Sequence, residues 1–332
     1  MVLVSGATGF LGSYIVIDLL RQNKKVRALK RTSSSTTEFE FVCKVNKITP
    51  EHLKNLEWHT ADLLDPGDLE TAFENIDEVI HCGAIVSFLK KDREKMMQVN
   101  MEGTANMVNL ALAYGVKKFA HISSIAAIGR TADEKEINEL TKWESSGRNT
   151  AYAESKFAAE MEVWRAMQEG LNAVIVNPGI IIGPGDFTKG TGKMFETAYK
   201  AIRFYTPGIS GFVDVRDVSK CVIQLMDKNI TNERFILVSE NYEFRKFYDE
   251  AAEYFHKPKP KIDTPFWLAV LGYKALGLLS FFTGKPPLIT RETTHAAYNK
   301  YFYDNTKVKE ILHFEFIPVK ETIRWTCGLF SG

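Results

Sequence analysis

The chain has 332 residues, of which 45% are hydrophobic, 12% aromatic and 25% charged, the proportions of a packed globular protein and not of a disordered, collagen-like or coiled-coil one. Lys+Arg 42 against Asp+Glu 41 leaves a net charge of +1, so there is no basic excess for nucleic-acid phosphates and no nucleic-acid partner is expected. Cys43, Cys82, Cys221 and Cys327 stand far apart with no Cys-x-x-Cys pair, which predicts neither a disulfide frame nor a zinc site and points to a reducing, cytoplasmic setting.

The chain opens on MVLVSGATG, an apolar run into a glycine turn, without the basic start, long apolar stretch and cleavage site of a signal peptide. Val2–Val4 reads as the first strand and Gly12–Gln22 as a helix. Lys25–Lys30 reads as strand two, Thr32–Thr37 as a mobile surface loop, and Leu56–His59 as strand three. Pro66–Glu74 is a short helix with proline in its first turn. Glu78–Cys82 is strand four, Asp92–Tyr114 a long helix stopped by Gly115, and Lys118–Ser123 strand five. Tyr152–Glu169 is a helix ended by Gly170, and Ala173–Asn177 is strand six. Strands alternating with helices predict an α/β fold, a Rossmann-type doubly wound parallel sheet.

After Pro178 the rhythm breaks, with Pro and Gly dense over Gly179–Gly211, Lys257–Pro265 and Gly284–Pro287. Residues 1–177 are therefore expected to form the main sheet domain and 178–332 a smaller, partly interleaved substrate-side region. Phe212–Asp217 and Phe235–Val238, within about residues 212–240, are expected to rejoin the sheet. Phe266–Phe282 is an apolar stretch of 17 residues with Lys274 at its middle. Spanning a bilayer takes about 20 apolar residues, so a buried helix or a lid over an apolar pocket is expected in place of an integral span.

Ser5–Gly12 reads SGATGFLG, with Gly6, Gly9 and Gly12 between a strand and a helix. Such spacing serves a sharp turn, close approach of a pyrophosphate, and packing of helix on strand, while the helix N-terminus offers N–H groups to phosphate. Thr8, Phe10 and Leu11 complete this candidate cofactor turn. NAD sites place Asp or Glu about 20 residues onward for the ribose hydroxyls. Here Lys30 and Arg31 stand instead, which favours NADP(H) over NAD(H), since cations attract a 2′-phosphate. Asp62, followed by Leu63 in ADLLD, is expected to accept from the adenine amino group.

Tyr152 and Lys156 form YAESK, four apart on one helical face. A free phenol titrates near ~10, and a neighbouring ammonium is expected to draw it down. Lys156 can also hold the nicotinamide ribose, and Ser124, in HISSIAAIG, can give a substrate oxygen a second hydrogen bond. The seven histidines have no metal-ligand spacing, and no metal is expected; His81 and His121 read as hydrogen-bonded core residues. GDFTKGTGK at Gly185–Lys193 lacks the Lys-Ser/Thr ending of a phosphate-binding P-loop.

These residues resemble the extended short-chain dehydrogenase/reductase family. SGATGFLGS, ADLLD, VIHCGA (Val79–Ala84), VNMEGTANMV (Val99–Val108), HISSIAAIG, YAESK, NPGIIIGPGD (Asn177–Asp186), FVDVRDVS (Phe212–Ser219) and YDNTKVKEILHFEFIPVKETI (Tyr303–Ile323) carry the likeness over essentially the whole chain. NPG after strand six and the Arg31 position are closer to the dihydroflavonol reductase and hydroxysteroid dehydrogenase branch than to nucleotide-sugar epimerases. The resemblance implies Tyr152 as general acid or base, Lys156 tuning it and binding ribose, and Ser124 polarising the carbonyl. It implies Gly83 and Ala84 on the adenosine side with Cys82 and Ile122 nearby, and Asn177, Pro178, Gly179 and Ile180 approaching the nicotinamide. Asn100 is implied as a structural or relay asparagine. Cys82 reads as a small buried residue, not a nucleophile.

The substrate side is expected to include Ser87, Phe88, Ile125, Phe187, Met194 and Phe195, alongside other aromatics from Tyr199 to Trp267. Arginines suited to a nucleotide diphosphate are few: Arg203, Arg216 and Arg291, with Arg216 expected to pair with Asp214 or Asp217. This favours an NADP(H)-dependent oxidoreductase acting on a small apolar or aromatic carbonyl or alcohol. The alternatives are a nucleotide-sugar epimerase or dehydratase with tightly bound NAD, and a non-catalytic cofactor sensor. The helices at Asp92–Tyr114 and Tyr152–Glu169 carry Met96, Met97, Met107, Phe157, Met161 and Trp164, which suit either a homodimer bundle or packing on the sheet.

Overall fold

A computed structural model describes residues 1–129, 136–145, 149–283 and 290–330, apart from the side chains of Lys90 and of residues 277–283. The Gly/Pro-dense Gly284–Pro287 and the side chains of Phe281 and Phe282 lie outside the described residues. Seven parallel strands form the main sheet: β1 (Val2–Ser5), β2 (Val26–Lys30), β3 (Leu56–Thr60), β4 (Glu78–His81), β5 (Lys118–Ile122), β6 (Ala173–Pro178) and β7 (Glu233–Leu237). Their order is β7-β6-β5-β4-β1-β2-β3. The chain builds outward from β1 to β3, then returns to the other side of β1 with β4. That reversal opens a crevice at the C-terminal ends of β1 and β4, where such sheets take their ligands.

Period-two alternation decides which side each residue packs on. Val2 and Val4 of β1 and Val174 and Val176 of β6 join a core with helices Phe10–Arg21 and Val215–Asp227. Leu3, Ala173 and Ile175 join the opposite core, with helices Pro66–Ala72, Gly103–Ala113 and Ala151–Gln168. Both faces are covered, which is why β1 and β6 carry the unbroken apolar runs VLV and AVIV.

Glu233–Leu237 joins the sheet beside β6, but the other expected strand does not. Ile209–Asp214 pairs with Ile180–Ile182 (parallel) and Glu240–Glu243 (antiparallel) in a separate three-stranded sheet, and Val215–Asp227 is a helix capped by Asp214. The small sheet has its own aromatic core, including Phe195, Phe212, Tyr242 and Phe247. The expected Asp92–Tyr114 helix is a run of segments: Lys90–Asp92, Arg93–Met96, a π-helical Met97–Glu102, and Gly103–Ala113. Such wide turns are frequent at functional sites, and Asn100 sits within this one. Thr37, expected in a loop, begins helix Thr37–Val45, whose Phe39 and Val42 are buried; a Ser/Thr-rich approach disguised its apolar face.

Phe266–Thr283 is a helix, but its first half is neither buried nor enclosed: Trp267 is 63% and Leu271 54% exposed. A helix apolar all round is ordinarily buried, so the exposure of this one marks a surface that the described core does not cover. No helix among the described residues is long and apolar enough to cross a membrane.

Candidate active site

The phosphate turn is shaped by backbone crowding. Gly6 has φ +67°, a left-handed conformation that glycine adopts without strain, and a Cβ there would stand 2.8 Å from the Cys82 carbonyl. A Cβ at Gly12 would stand 2.1 Å from the Gly6 carbonyl oxygen. Gly9 then N-caps helix Phe10–Arg21 without any side-chain cap, leaving first-turn N–H groups directed at the crevice. Thr8 is half-buried beside it. This glycine-only cradle at a helix N-terminus fits a dinucleotide pyrophosphate. Phe10 and Tyr14 also brace the other side of the cleft, since the Tyr14 hydroxyl donates to the Pro184 carbonyl at 2.9 Å.

At the end of β2, Lys30 Nζ lies 5.8 Å from the Trp58 ring centroid, and Arg31 is exposed. The Arg31 N–H donates to Ser34 Oγ at 3.2 Å, closing a turn there. Asp62 Oδ1 accepts from the Leu64 N–H at 3.0 Å, so part of its accepting capacity is spent locally. Leu63 packs under Gly83 and Gly103, and its carbonyl accepts from Asn106 at 2.8 Å.

A buried relay fixes the β4 end of the crevice. Thr104 donates to the Asn100 carbonyl, so it accepts from His81 Nε2 at 2.9 Å. His81 Nδ1 then accepts from the Ser5 hydroxyl at 2.6 Å, and Ser5 Oγ accepts from the Gly83 N–H at 3.0 Å. Burial holds His81 neutral, its pKa lowered to about 3. His121 differs from expectation: it is buried, yet neither ring nitrogen has a hydrogen-bond partner among the described residues. Its ring lies against His81, with centroids 5.4 Å apart. Burial pushes the Cys82 thiol up to about 12, which suits a packing residue. Ala84 is exposed at the crevice mouth.

Helix Ala151–Gln168 begins at Thr150, whose side chain accepts from the Ala153 N–H, and this cap sets Tyr152 in the first turn. Tyr152 keeps partial exposure and meets Phe88 edge-on at 6.0 Å between centroids. Burial is the first influence on its phenol and pushes its pKa up, with a hydrogen bond to Ser124 opposing. The expected pull from Lys156 is not what governs it. Lys156 is 2% exposed and its Nζ donates to the Ile122 carbonyl at 2.8 Å. Burial lowers Lys156 to about 8. Ser124 caps the short turn Ile125–Ala127, accepting from Ala126 at 3.1 Å.

Two of the expected site residues have side chains tied into the surrounding structure. Asn100 is 1% exposed and spends its amide on the Ile85 N–H (2.7 Å), the Ile85 carbonyl (2.9 Å) and Ser155 Oγ (2.9 Å), pinning the β4 loop to the tyrosine helix. Asn177 is fully buried, and its Nδ2 donates to the Ser124 carbonyl at 2.9 Å and to Glu160 Oε1 at 2.5 Å. Its side chain therefore turns inward, behind Ser124. Pro178 ends β6, Gly179 is bonded to the Leu237 carbonyl at 3.0 Å, and Ile180 starts the small sheet.

Glu160 went unread in the sequence. It is fully buried, bonded to Asn177 and 3.5 Å from Arg234 of β7. Burial pushes its pKa up, against Ser123, Arg234, Asn177 and Lys156. The sign of it was available: Glu160 follows Lys156 by four and Tyr152 by eight, on the same face of the helix.

On the substrate side, Phe88 is exposed beside Tyr152, while the Ser87 hydroxyl donates to Asp92 at 2.6 Å. Ile125 is buried with Ile128, Ile236 and Val238. Phe187 meets Phe330 at 4.7 Å and Phe41 at 6.4 Å, and Met194 is half-buried. Phe195 is fully buried against Phe247, so it packs the small core and does not line the crevice. Met96 and Met107 are likewise fully buried, which removes them from any subunit contact, whereas Met161 is exposed.

The NAD dependent epimerase/dehydratase family profile matches residues 2–237. The chain belongs to that family. It is 30% identical over 337 residues to a protein of Synechocystis sp. named "Putative dihydroflavonol 4-reductase", covering 96% of this chain and 91% of that one. Sterol demethylase protein B of Methylococcus capsulatus is 30% identical over 265 residues, 79% of this chain and 77% of that protein. The crystal structure of gox2253 superimposes with a TM-score of 0.80 at 28% identity, covering 99% of this chain and 97% of that one. Family and relatives together make this chain a nicotinamide-dependent oxidoreductase or epimerase of Rossmann type.

Proposed function

We propose that this family member is an NADP(H)-dependent oxidoreductase that interconverts a carbonyl and an alcohol on a small apolar or aromatic substrate. The observation that carries the reading is the juxtaposition of Tyr152, Ser124 and Lys156 with a glycine cradle at the β1–β4 crevice. The nicotinamide, when bound, supplies the hydride. Tyr152 gives its phenolic proton to the carbonyl oxygen in reduction, and takes it back in oxidation. Ser124 donates to the same oxygen, and Lys156 holds the ribose hydroxyls. Lys30 and Arg31 support NADP(H), as cations where an NAD site carries a carboxylate. Phe88 beside Tyr152 and the relatives named for a flavonoid and a sterol step support an apolar substrate.

The nucleotide-sugar reading needs arginines free to grip a diphosphate. Arg216 is committed: its Nη2 lies 2.5 Å from Asp214 and its guanidinium 3.8 Å from the Trp325 ring centroid. A homodimer through the face carrying Met161 and Trp164 belongs to this proposal. Its support is that Met161 is an exposed apolar residue on that helix.

The deciding experiment measures hydride transfer with NADPH and NADH across a panel of aromatic and alicyclic carbonyls and of UDP-sugars. Turnover of carbonyls, faster with NADPH, is expected. Turnover of UDP-sugars alone would overturn the reading, and cofactor binding without any turnover would favour the sensor.

A further inference from the structure

One apolar surface is left over from the crevice. Helix Phe266–Thr283 carries a single charged residue, Lys274, yet Phe266, Trp267, Leu268 and Leu271 are all more than a third exposed. Its described anchorage is narrow: the Phe266 ring meets His295 and Tyr298, each at 5.2 Å between centroids. Apolar exposure is not confined to the helix. Phe204 and Ile262 are register partners in the parallel ribbon of Phe204–Tyr205 and Ile262–Asp263, and both are exposed. Paired residues in such a ribbon project from the same face, so the two side chains form an exposed apolar pair just ahead of the helix. Contiguous exposed apolar area of this kind marks an interaction site.

Charge selects the partner. Arg203, Lys261 and Lys274 are exposed around the patch and make no ion pair among the described residues. Lys257 lies over the Tyr199 ring and Lys259 is bonded to Glu253 at 2.8 Å, so those two cations are committed elsewhere. Asp263 is the one acidic residue in the stretch 257–276. A second copy of the chain would set these cations against each other. An anionic lipid surface offers what the patch lacks, an apolar region beneath a layer of phosphates. Tryptophan suits that boundary, and the Lys274 stem is long enough to carry its ammonium out to the headgroups.

We propose that this face docks the protein onto an anionic lipid surface, with Trp267, Leu268 and Leu271 entering the headgroup layer and Arg203, Lys261 and Lys274 against phosphates. The helix lies on the membrane and does not span it. The inference does not depend on the hydride-transfer reading, because vesicle binding requires no turnover.

The test is co-sedimentation of the full chain with phosphatidylcholine vesicles, with and without phosphatidylglycerol, at low and high salt. Binding to the anionic vesicles is expected to be about tenfold tighter or more, and to weaken with salt. Trp267→Glu and Leu271→Glu should each abolish most of it, and Arg203→Glu with Lys261→Glu should erase the preference for anionic lipid. Unchanged thermal midpoint and cofactor affinity in these variants establish that they fold. Wild-type protein that stays in the supernatant with both vesicle types, or Trp267→Glu that binds like wild type, would overturn the proposal. So would a wild-type dimer that ignores vesicles and that Trp267→Glu dissociates, since a second copy would then cover this face.

Discussion

On the nucleotide side of the crevice, main chain does the shaping. Gly6 and Gly12 approach carbonyls closer than any Cβ allows, and the Ser5–His81–Thr104 relay holds the Gly83 amide in place. On the substrate side, side chains do it. Phe187 is held by Phe41 and Phe330, and Phe88 stands in the open beside Tyr152. A wall of main chain has little tolerance and suits a ligand that never changes. A wall of side chains can be refilled, and suits a substrate that differs between relatives. Tyr152 stands where the two meet, its ring against Phe88 and its phenol within the influence of Ser124.

Removing the group at that junction should produce the largest effect. Tyr152→Phe deletes the proposed proton donor while keeping the ring against Phe88, so kcat is expected to fall by about 10²–10⁴-fold. Cofactor affinity should stay within about twofold, because binding energy there comes from the glycine turn. Stopped-flow hydride transfer and a fluorescence titration of NADPH check the two halves. Equal losses in both would place the tyrosine in the nucleotide wall and erase the distinction between the walls.

The same distinction explains what could be read from the sequence. The glycine spacing, the β-α alternation and YAESK are local patterns, and local patterns set main-chain geometry directly. Asn177 reads equally well as a nicotinamide contact; only the tertiary approach of Glu160 and the Ser124 carbonyl turns it inward. Phe195 and Phe187 are alike in sequence, yet one is sealed against Phe247 and the other only half-buried. Ile209–Asp214 has the composition of a sheet strand, and whether it joins the large sheet or a small one depends on partners more than twenty residues away. Helix Phe266–Thr283 reads as core because it is apolar, and the absence of a polar stripe says nothing about whether a partner surface exists for it.

Gly12→Ala tests the main-chain wall. The Gly6 carbonyl is backbone inside a fixed turn and cannot move aside as a side-chain tip could. An overpacked site of this sort costs about 3 kcal/mol, equivalent to ~150-fold in Kd, if the strain is spent on the cofactor turn. Titration with NADPH should show weak binding, with the far-UV spectrum and urea midpoint of the apoprotein less affected. A variant that binds NADPH normally would mean the turn is plastic, contrary to the crowding at both glycines.

The walls are also tied together away from the crevice, and pH should expose that tie. Asp217 lies on helix Val215–Asp227, which packs on the large sheet, and its Oδ2 accepts from the Ile317 N–H at 2.7 Å. Ile317 leads into helix Val319–Leu329, whose Val319 and Ile323 belong to the small core. Burial, with Asp214 adding repulsion, raises the Asp217 pKa from 3.8 to about 6. Between those values the folded protein keeps a proton that the unfolded chain has released, so this group's contribution to stability declines as pH rises, and is constant above about 6. The loss amounts to ~3 kcal/mol at neutral pH. Asp217→Asn retains an oxygen for Ile317 and removes the ionisation. The difference in urea-unfolding free energy between variant and wild type should therefore be near zero around pH 4, grow in favour of the variant toward pH 6, and then level off. Taking the difference cancels the opposing acid sensitivity of paired carboxylates elsewhere. A difference that is flat with pH would show Asp217 to be charged without penalty, and the join between the two cores to be wetter than its burial implies.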